Sequence, residues 1–420
     1  MAECCNSMTD MTGMKRVVVT GMGAITSIGQ DWSTVRTNLE SRRTGISYMA
    51  DWERFETLNT RLAAPIPDFT SPAHYLRKKI RSMGRVALMA TRASELALED
   101  AGLLGAELLH SGQMGVAFGS STGSTSAIAD FHAMLIGHDT SNINANTYIK
   151  MMPHTTAVNV GVFFGIRGRI HTTSSACTSG SQGIGYAYEA IRFGRQTAMI
   201  AGGAEELCPT EAAVFDTLFA TSTKNSTPHA VPRPFDRDRD GLVIGEGSAA
   251  LILEEYEHAR ARGAHIHAEI IGYSTNSDGM HVTQPDWEQM RNAMQDAMRD
   301  AGVAPDAIGY VSAHGTATDR GDIAESRATL DAIGAAVPIS SLKSYLGHTL
   351  GACGAIEAWA TLNMMREGWF HPTANLDNVD PRCAPLDYIV GDGRELQTDV
   401  VMSNNFAFGG INTSLIFRRV

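Results

Sequence analysis

His171-Thr172-Thr173-Ser174-Ser175-Ala176-Cys177-Thr178-Ser179-Gly180 is the stretch around which the rest of the chain falls into place. The residues leading into it, from Gly168-Arg169-Ile170, read as a strand. After it, Ile184, Ala187, Tyr188 and Ile191 recur at i, i+3, i+4 and i+7, the apolar stripe of a helix. Cys177 therefore stands where a strand turns into a helix, among side chains too small to cover its sulfur. The unpaired N–H groups and dipole of a helix N-terminus favour a thiolate at such a position. The same N–H groups suit an oxyanion formed when that sulfur attacks a carbonyl. A buried structural cysteine is the competing reading of a lone Cys, and the surrounding chain must decide between the two.

Working outward within the first half, Val116 to Gly119 is a strand running into the small-residue loop Ser120-Ser121-Thr122-Gly123, and Ala198 to Glu205 is another strand and turn. Alternation of strand and helix is the pattern of a layered α/β protein. Lys15 to Gly29 opens the folded part, with Val17-Val18-Val19 as a buried strand and Gly21-Met22-Gly23-Ala24 as a tight turn. This GxG lacks the third glycine and the following helix of a dinucleotide fingerprint. Arg233-Pro234-Phe235-Asp236-Arg237-Asp238-Arg239-Asp240-Gly241 resembles a calcium loop, but the position needing glutamate is Gly247. It reads instead as a turn held by Asp–Arg pairing. His265 and His267 alternate with apolar residues, as on a strand, and read as surface or core histidines, not metal ligands.

The second half begins near Ala268 and repeats the theme. A strand from Ile308 to Ser312 delivers His314, followed by a helix carrying Asp322 and Glu325 on one face. A strand from Val337 to Ser341 delivers Lys343 and His348, followed by a glycine-rich helix through Gly351, Gly354, Ile356 and Trp359. Val400 to Asn412, which contains Phe406-Ala407-Phe408-Gly409-Gly410, is a strand leading into a turn, and Ser414 to Phe417 is the last strand. Strand, small-residue turn, reactive side chain and helix thus recur in both halves, a weak internal repeat that predicts two similar α/β halves facing each other. Cys177, His314 and His348, each at its own strand end, fit nucleophilic catalysis assisted by two imidazoles.

Composition narrows the partners. The 420 residues are 43% hydrophobic and 19% charged, the profile of an ordinary globular protein. A net charge of −11 argues against general nucleic-acid binding. No run approaches the ~18 apolar residues of a membrane span. Residues 1–14 are polar and Met-rich, without the apolar core of a secretory signal, and read as a disordered extension. Cysteines at 4, 5, 177, 208, 353 and 383 form no CxxC pair, so no zinc site is expected, and their scarcity suits a reducing cytoplasm. Arg77-Lys78-Lys79, with Arg81 and Arg85, is the densest basic cluster, either a solvated helix face or a docking patch for an acidic partner.

Along nearly its whole length the chain resembles the 3-oxoacyl-[acyl-carrier-protein] synthases of the type I/II condensing-enzyme class. The motifs are Ser175 to Gly180, Arg233 to Gly247, His314 to Glu325, Lys343 to Gly354 and Asn404 to Asn412. The resemblance implies a thiolase-like, five-layered αβαβα fold of two pseudo-symmetric halves, 15–267 carrying Cys177 and 268–420 carrying the remaining site residues. It implies that Cys177 holds the acyl chain as a thioester. His314 and His348 would bind the malonyl thioester carbonyl, with Lys343 supporting His314 and Glu325 as the lysine's ion partner. The backbone N–H groups of Cys177 and Phe408 would form the oxyanion hole. Phe408 matches the gating phenylalanine, Thr316 and Thr318 the phosphopantetheine contacts, and Thr122 a position at the acyl pocket. Asp322 would support the site, and Arg77, Lys78, Lys79 and Arg81 would dock the acyl carrier protein. The implied partner is that carrier protein, acyl- or malonyl-loaded, with its phosphopantetheine arm as the only cofactor-like group. A homodimer is expected, and a heterodimer with a related subunit is the alternative. Decarboxylation itself generates the carbanion, so the chemistry needs no metal. Ala317, Asp319, Ala407 and Ile411 depart from the usual residues, and the segments Leu346 to Cys353, Gly368 to Phe370 and Asn375 to Cys383 are closer to ketosynthases of aryl-polyene pathways. A non-catalytic chain-length factor is the rival reading. Such subunits usually carry glutamine at the cysteine position, whereas here Cys177 is present with His314, Lys343 and His348.

Overall fold

A computed structural model describes residues 13–420, and the expected extension 1–14 lies almost wholly outside them. Eleven strands form one mixed sheet: β1 Val17–Ile25, β2 Met114–Gly119, β3 Ile170–Thr173, β4 Ala198–Glu205, β5 Gly247–Glu255, β6 Ala268–Ser277, β7 Tyr310–Ser312, β8 Pro338–Ser340, β9 Asp387–Tyr388, β10 Val400–Ala407 and β11 Ile411–Arg418. Their spatial order is β9-β8-β7-β10-β11-β6-β1-β5-β4-β2-β3. β1, β2, β4 and β7 are buried along their full length, and β5 and β10 all but their last residue, which is what helices on both faces require.

The order contains the repeat that the sequence hinted at. From the outer edge inward, one side reads β3-β2-β4-β5-β1 and the other β8-β7-β10-β11-β6, with β9 added outside β8. Pairing direction repeats as well. β2 is parallel to β3 and β4, as β7 is parallel to β8 and β10. β5 runs antiparallel to β4 and β1, as β11 does to β10 and β6. The two sets meet at a short antiparallel seam, Val17↔Ile270, Val18↔Glu269 and Val19↔Ala268.

The five longest helices among the described residues lie in the layers: α1 Arg85–Asp100, α2 Ser179–Arg192, α3 Trp287–Ala301, α4 Asp319–Ala332 and α5 Cys353–Glu367. α2 and α5 pack on each other and on strands of both sets, so they form the central layer. α1 covers the outer face of one set, and α3 with α4 that of the other, giving αβαβα. Of α5, every residue from Cys353 to Met365 is buried. The Ile184, Ala187, Tyr188 and Ile191 stripe of α2 is buried as its spacing predicts, but so is almost all of the helix's first two turns. A central helix has no solvent face to keep polar.

One reading fails. Gly21 and Gly23 do not make a turn; they lie inside the nine-residue strand β1. A Cβ at Gly21 would sit 2.2 Å from the Ala97 carbonyl of α1, and one at Gly23 2.6 Å from that of Ala93. The glycines are there because a helix backbone crosses that close to the strand.

Candidate active site

Cys177 stands on a single 3-10 turn, Ala176–Thr178, between β3 and α2. Ala176 before it takes φ +50°, a left-handed conformation uncommon outside glycine, which turns the cysteine sharply out of the strand. Gly180, one turn on, packs on Gly203 of β4, where a Cβ would sit 2.4 Å from the Gly351 carbonyl and 2.8 Å from the Gly180 Cα, and a Cβ on Gly180 itself would lie 3.0 Å from the same carbonyl. The thiol is 4% exposed. The backbone N–H groups of Cys177 and Phe408 both favour the charged form of its sulfur. Burial pushes the Cys177 thiol up to about 11, against the lowering pull of the Lys343 charge and those two N–H groups. The easily formed thiolate expected from the helix start is thus overridden by desolvation.

Two imidazoles converge on this sulfur. His348 Nε2 lies 3.0 Å from Cys177 Sγ. Its backbone is pinned to the strand beside it, the His348 N–H donating to the Val243 carbonyl at 2.6 Å and its carbonyl accepting from Gly245 at 2.9 Å. The Leu350 N–H donates to His348 Nδ1 at 3.3 Å, so the ring proton belongs on Nε2. His314 Nδ1 faces two donors, Lys343 Nζ at 3.2 Å and Asn405 Nδ2 at 3.4 Å, so its proton is on Nε2 too. The rings stand 5.2 Å apart, nearly perpendicular. Burial, then the Lys343 charge, holds both well below the usual histidine range, so both are neutral donors at pH 7. The donor atoms of Cys177, His314 and His348 lie within 4.8 Å of one another, a cluster that sequence spacing does not reveal.

Lys343 is 2% exposed, and its ion partner is Glu357 of α5, at 2.5 Å. This corrects the expectation for Glu325. Burial would lower the Lys343 ammonium, but the Cys353 thiol and the Glu357 carboxylate beside it carry it upward. Asn405 donates to the other Glu357 oxygen at 2.7 Å, so Lys343, Glu357 and Asn405 brace His314 as one unit. Glu325 turns back on its own loop and accepts the N–H groups of His314 (2.7 Å) and Gly315 (2.6 Å). Asp322, one turn earlier on α4, accepts those of Thr316 and Ala317 at 3.1 Å and of Phe235 at 2.7 Å. Glu357 and Asn405 were missed as site residues. A single carboxylate in the apolar run Gly354-Ala355-Ile356-Glu357-Ala358-Trp359-Ala360 was the available signal, because a buried acid needs a partner.

A cavity of about 350 Å³ opens onto this cluster, with Cys177, His314 and His348 at its floor and Thr316, Thr318, Phe215 and Phe408 in its walls. The hydroxyls of Thr316 and Thr318 are 2.9 Å apart. Phe408 packs on Phe215 with centroids 5.1 Å apart. Its turn is completed by Gly409 and Gly410, both at positive φ, and held by the Gly409 N–H donating to the Val282 carbonyl at 2.8 Å.

Other candidates fall elsewhere. Thr122 does not line this cavity; its hydroxyl donates to Glu211 at 2.7 Å and lies 3.1 Å from Glu205. Glu205 also receives the Gly351 N–H at 3.0 Å, joining that loop to the segment after His348. Arg77, Lys78, Lys79 and Arg81 are exposed on and beside a short helix, Arg77–Ile80, outside the cavity wall. Arg85 leaves that cluster, for it pairs with Glu246 at 2.8 Å. The Arg233 to Gly241 loop is indeed an Asp–Arg turn: Asp236 accepts from Arg233, and Arg239 pairs with Asp380 at 2.6 Å. His267 meets Asp100 at 2.8 Å.

Two duplicated α/β halves, a cysteine on a strained strand-to-helix turn, a pair of backbone N–H groups and two N–H-donating imidazoles define the condensing class of acyl-transferring enzymes. The model for the beta-ketoacyl synthase N-terminal domain matches residues 14–259, and that for the C-terminal domain matches residues 267–377. The chain is 39% identical to 3-oxoacyl-[acyl-carrier-protein] synthase 2 of Vibrio cholerae, over 97% of this chain and 99% of that one. A crystal structure of a beta-ketoacyl synthase from Burkholderia phymatum superimposes with a TM-score of 0.96 at 61% identity, covering 97% of this chain and all (100%) of the other. A type II polyketide ketosynthase, solved bound to the hexaketide in complex with its acyl-carrier protein, gives 0.85 at 31% identity, with coverage of 97% and 100%. The chain belongs to the beta-ketoacyl synthase family.

Proposed function

We propose that this chain is a 3-oxoacyl-[acyl-carrier-protein] synthase, an acyltransferase that condenses a Cys177-bound acyl chain with malonyl-acyl-carrier protein and releases CO2. The observation that carries it is the pair of Nε2–H donors on His314 and His348 facing one nucleophilic sulfur. In the first half-reaction, Cys177 sulfur attacks the acyl thioester, and the oxyanion rests on the N–H groups of Cys177 and Phe408. The carrier's phosphopantetheine thiol leaves and takes up the cysteine's proton. In the second, both imidazole N–H groups hold the malonyl thioester carbonyl while its carboxylate departs as CO2. The resulting enolate carbon attacks the Cys177 thioester, and the cysteine leaves as a thiolate. Neutral imidazoles suit this role, because the step needs donors to a forming enolate rather than a base at carbon.

The family's carrier protein, presenting its phosphopantetheine arm as part of the substrate, is the partner of this reading. Thr316 and Thr318 line its path, and Phe408 guards the inner end. A homodimer is the proposed assembly. Support comes from strand β3, which ends the sheet with an open edge, and from Ile170 and Val162 nearby, exposed at 41% and 71%. We place the enzyme in the cytoplasm, and no helix among the described residues is long and apolar enough to cross a membrane. Aryl-polyene rather than housekeeping fatty-acid synthesis is the pathway reading, resting on the sequence segments quoted above. The chain-length-factor reading is not favoured, since the nucleophile and its donors are all in place.

The test is intact-protein mass spectrometry after incubation with saturated, unsaturated and aryl-polyenoic acyl-carrier proteins, beside Cys177→Ala. Loading of the wild type alone, followed by elongation with malonyl-carrier protein, is expected. No loading from any donor, with candidate partner subunits added, would sink the reading.

A further inference from the structure

Among the described residues, Arg320 is the one arginine or lysine lining the cavity that holds Cys177. It is exposed, lies next to Thr318 and Asp319 in that wall, and is the second residue of helix α4. Among the described residues its guanidinium has no ion pair and no side-chain hydrogen bond. The nearby carboxylates are committed elsewhere. Asp319 meets Arg382 at 2.6 Å and Arg239 at 3.6 Å. Asp278 accepts from the Asn412 side chain at 2.7 Å and from the Asp286 N–H at 3.1 Å. Glu325 is occupied by the N–H groups of His314 and Gly315. The cavity thus grades from buried neutral donors at the sulfur, through two hydroxyls, to one uncommitted cation at its exposed rim. In a chain of net charge −11, a lone guanidinium there is a recognition feature for an anion. The helix start beside it adds free N–H groups of the same sign.

Resting on the condensing-enzyme reading, we propose that Arg320 binds the phosphodiester of the phosphopantetheine arm, fixing the entry point of a thioester whose other end reaches Cys177. The arm has an anion at one end, amides along its length and a thioester at the other, which matches the order guanidinium, hydroxyls, sulfur and imidazoles. Arg320 touches no reacting atom; it is a binding residue.

The experiment compares Cys177 loading rates from three donors of one acyl group: the acyl-carrier protein, acyl-phosphopantetheine, and acyl-pantetheine without the phosphate. Arg320→Ala is expected to lower loading from the two phosphate-bearing donors about tenfold, as for loss of one charge-assisted contact. It should leave acyl-pantetheine unchanged, and Arg320→Lys should recover part of the loss. Raising salt should erase the wild type's preference for phosphate-bearing donors and barely affect Arg320→Ala. Equal loss with all three donors, or no loss with any, would overturn the proposal. Loss confined to the carrier protein would overturn it too, by assigning Arg320 to the protein surface instead of the arm. A wild type unloaded by every donor would sink the condensing reading itself, whereas normal loading without any phosphate preference would sink only the role of Arg320.

Discussion

Cys177 is a nucleophile buried at the floor of a cavity, and its reactivity is a contest between desolvation and local charge. Burial raises the thiol to about 11, while the Lys343 ammonium and two backbone N–H groups pull the other way. Lys343 acts at a distance from the sulfur, and its nearest contacts are His314 and Glu357. Lys343→Met therefore removes a lowering influence, moves the thiol's titration further up, and leaves less thiolate at neutral pH. Alkylation of Cys177 by iodoacetamide at pH 8 should slow about tenfold, one pKa unit's worth. The rate–pH curve of the variant should be displaced to higher pH; an unchanged curve would show that Lys343 has no electrostatic hold on the sulfur. Sequence alone placed Cys177, His314, His348 and Lys343 at strand ends, but it misassigned the lysine's partner. Glu325 and Glu357 both lie on helices following reactive residues, and only packing decides which carboxylate faces the ammonium.

The turn from His314 to Thr318 has no regular structure of its own, and the first turns of α4 hold it from below. Asp322 takes the N–H groups of Thr316 and Ala317, and Glu325 those of His314 and Gly315. Burial raises Glu325 from its ordinary 4.5 to about 8, with Asp322 adding to the rise. A carboxyl whose folded pKa is raised binds its proton more tightly folded than unfolded, so stability from this group falls as pH climbs from about 4.5 to 8. Glu325→Gln removes that slope while weakening the grip on the loop. The variant should melt below the wild type at pH 5, and the gap should narrow steadily up to pH 8 in calorimetry. A gap independent of pH would mean that Glu325 stays ionised throughout. Its catalytic cost should appear in the same variant as slower decarboxylation with near-normal Cys177 loading, because the loop carries His314 and not the nucleophile.

At the scale of the molecule, the two strand sets touch edge to edge, among the described residues, only at the β1–β6 seam, and an ion-pair cluster sits on it. Glu269, directly opposite Val18, receives Arg16 at 2.8 Å and Arg418 at 2.6 Å. Burial would raise this carboxylate, yet the two arginines hold it below its ordinary 4.5. Its contribution is therefore present above about pH 4.5 and lost as pH falls through the lower folded value. Glu269→Gln should cost about 1–2 kcal/mol at pH 7, discounted because both arginines are half exposed. Urea unfolding should show the midpoint drop at pH 7 and its near-disappearance by pH 3. A loss that persisted at pH 3 would assign the effect to packing rather than charge.

The chain's own pattern determined much of this. Period-3.6 stripes, buried strand runs and small-residue turns located the halves, their repeat and the strand-end positions of the reactive side chains, because these are local consequences of backbone geometry. The long motifs then carried the family. What sequence left open were contacts between segments far apart in the chain. The Gly21-Met22-Gly23 stretch reads as a turn until α1 is seen crossing 2.2 Å from a would-be Cβ, which makes it a strand with room for a helix. The Cys177 thiol reads as acidic from its helix start until the surrounding side chains exclude water and reverse the balance. Glu357, Asn405 and the free Arg320 acquire meaning only from what faces them. Spacing along the chain fixes which groups share a local element, whereas dielectric surroundings and charge partners depend on three-dimensional neighbours, and those the tertiary fold alone decides.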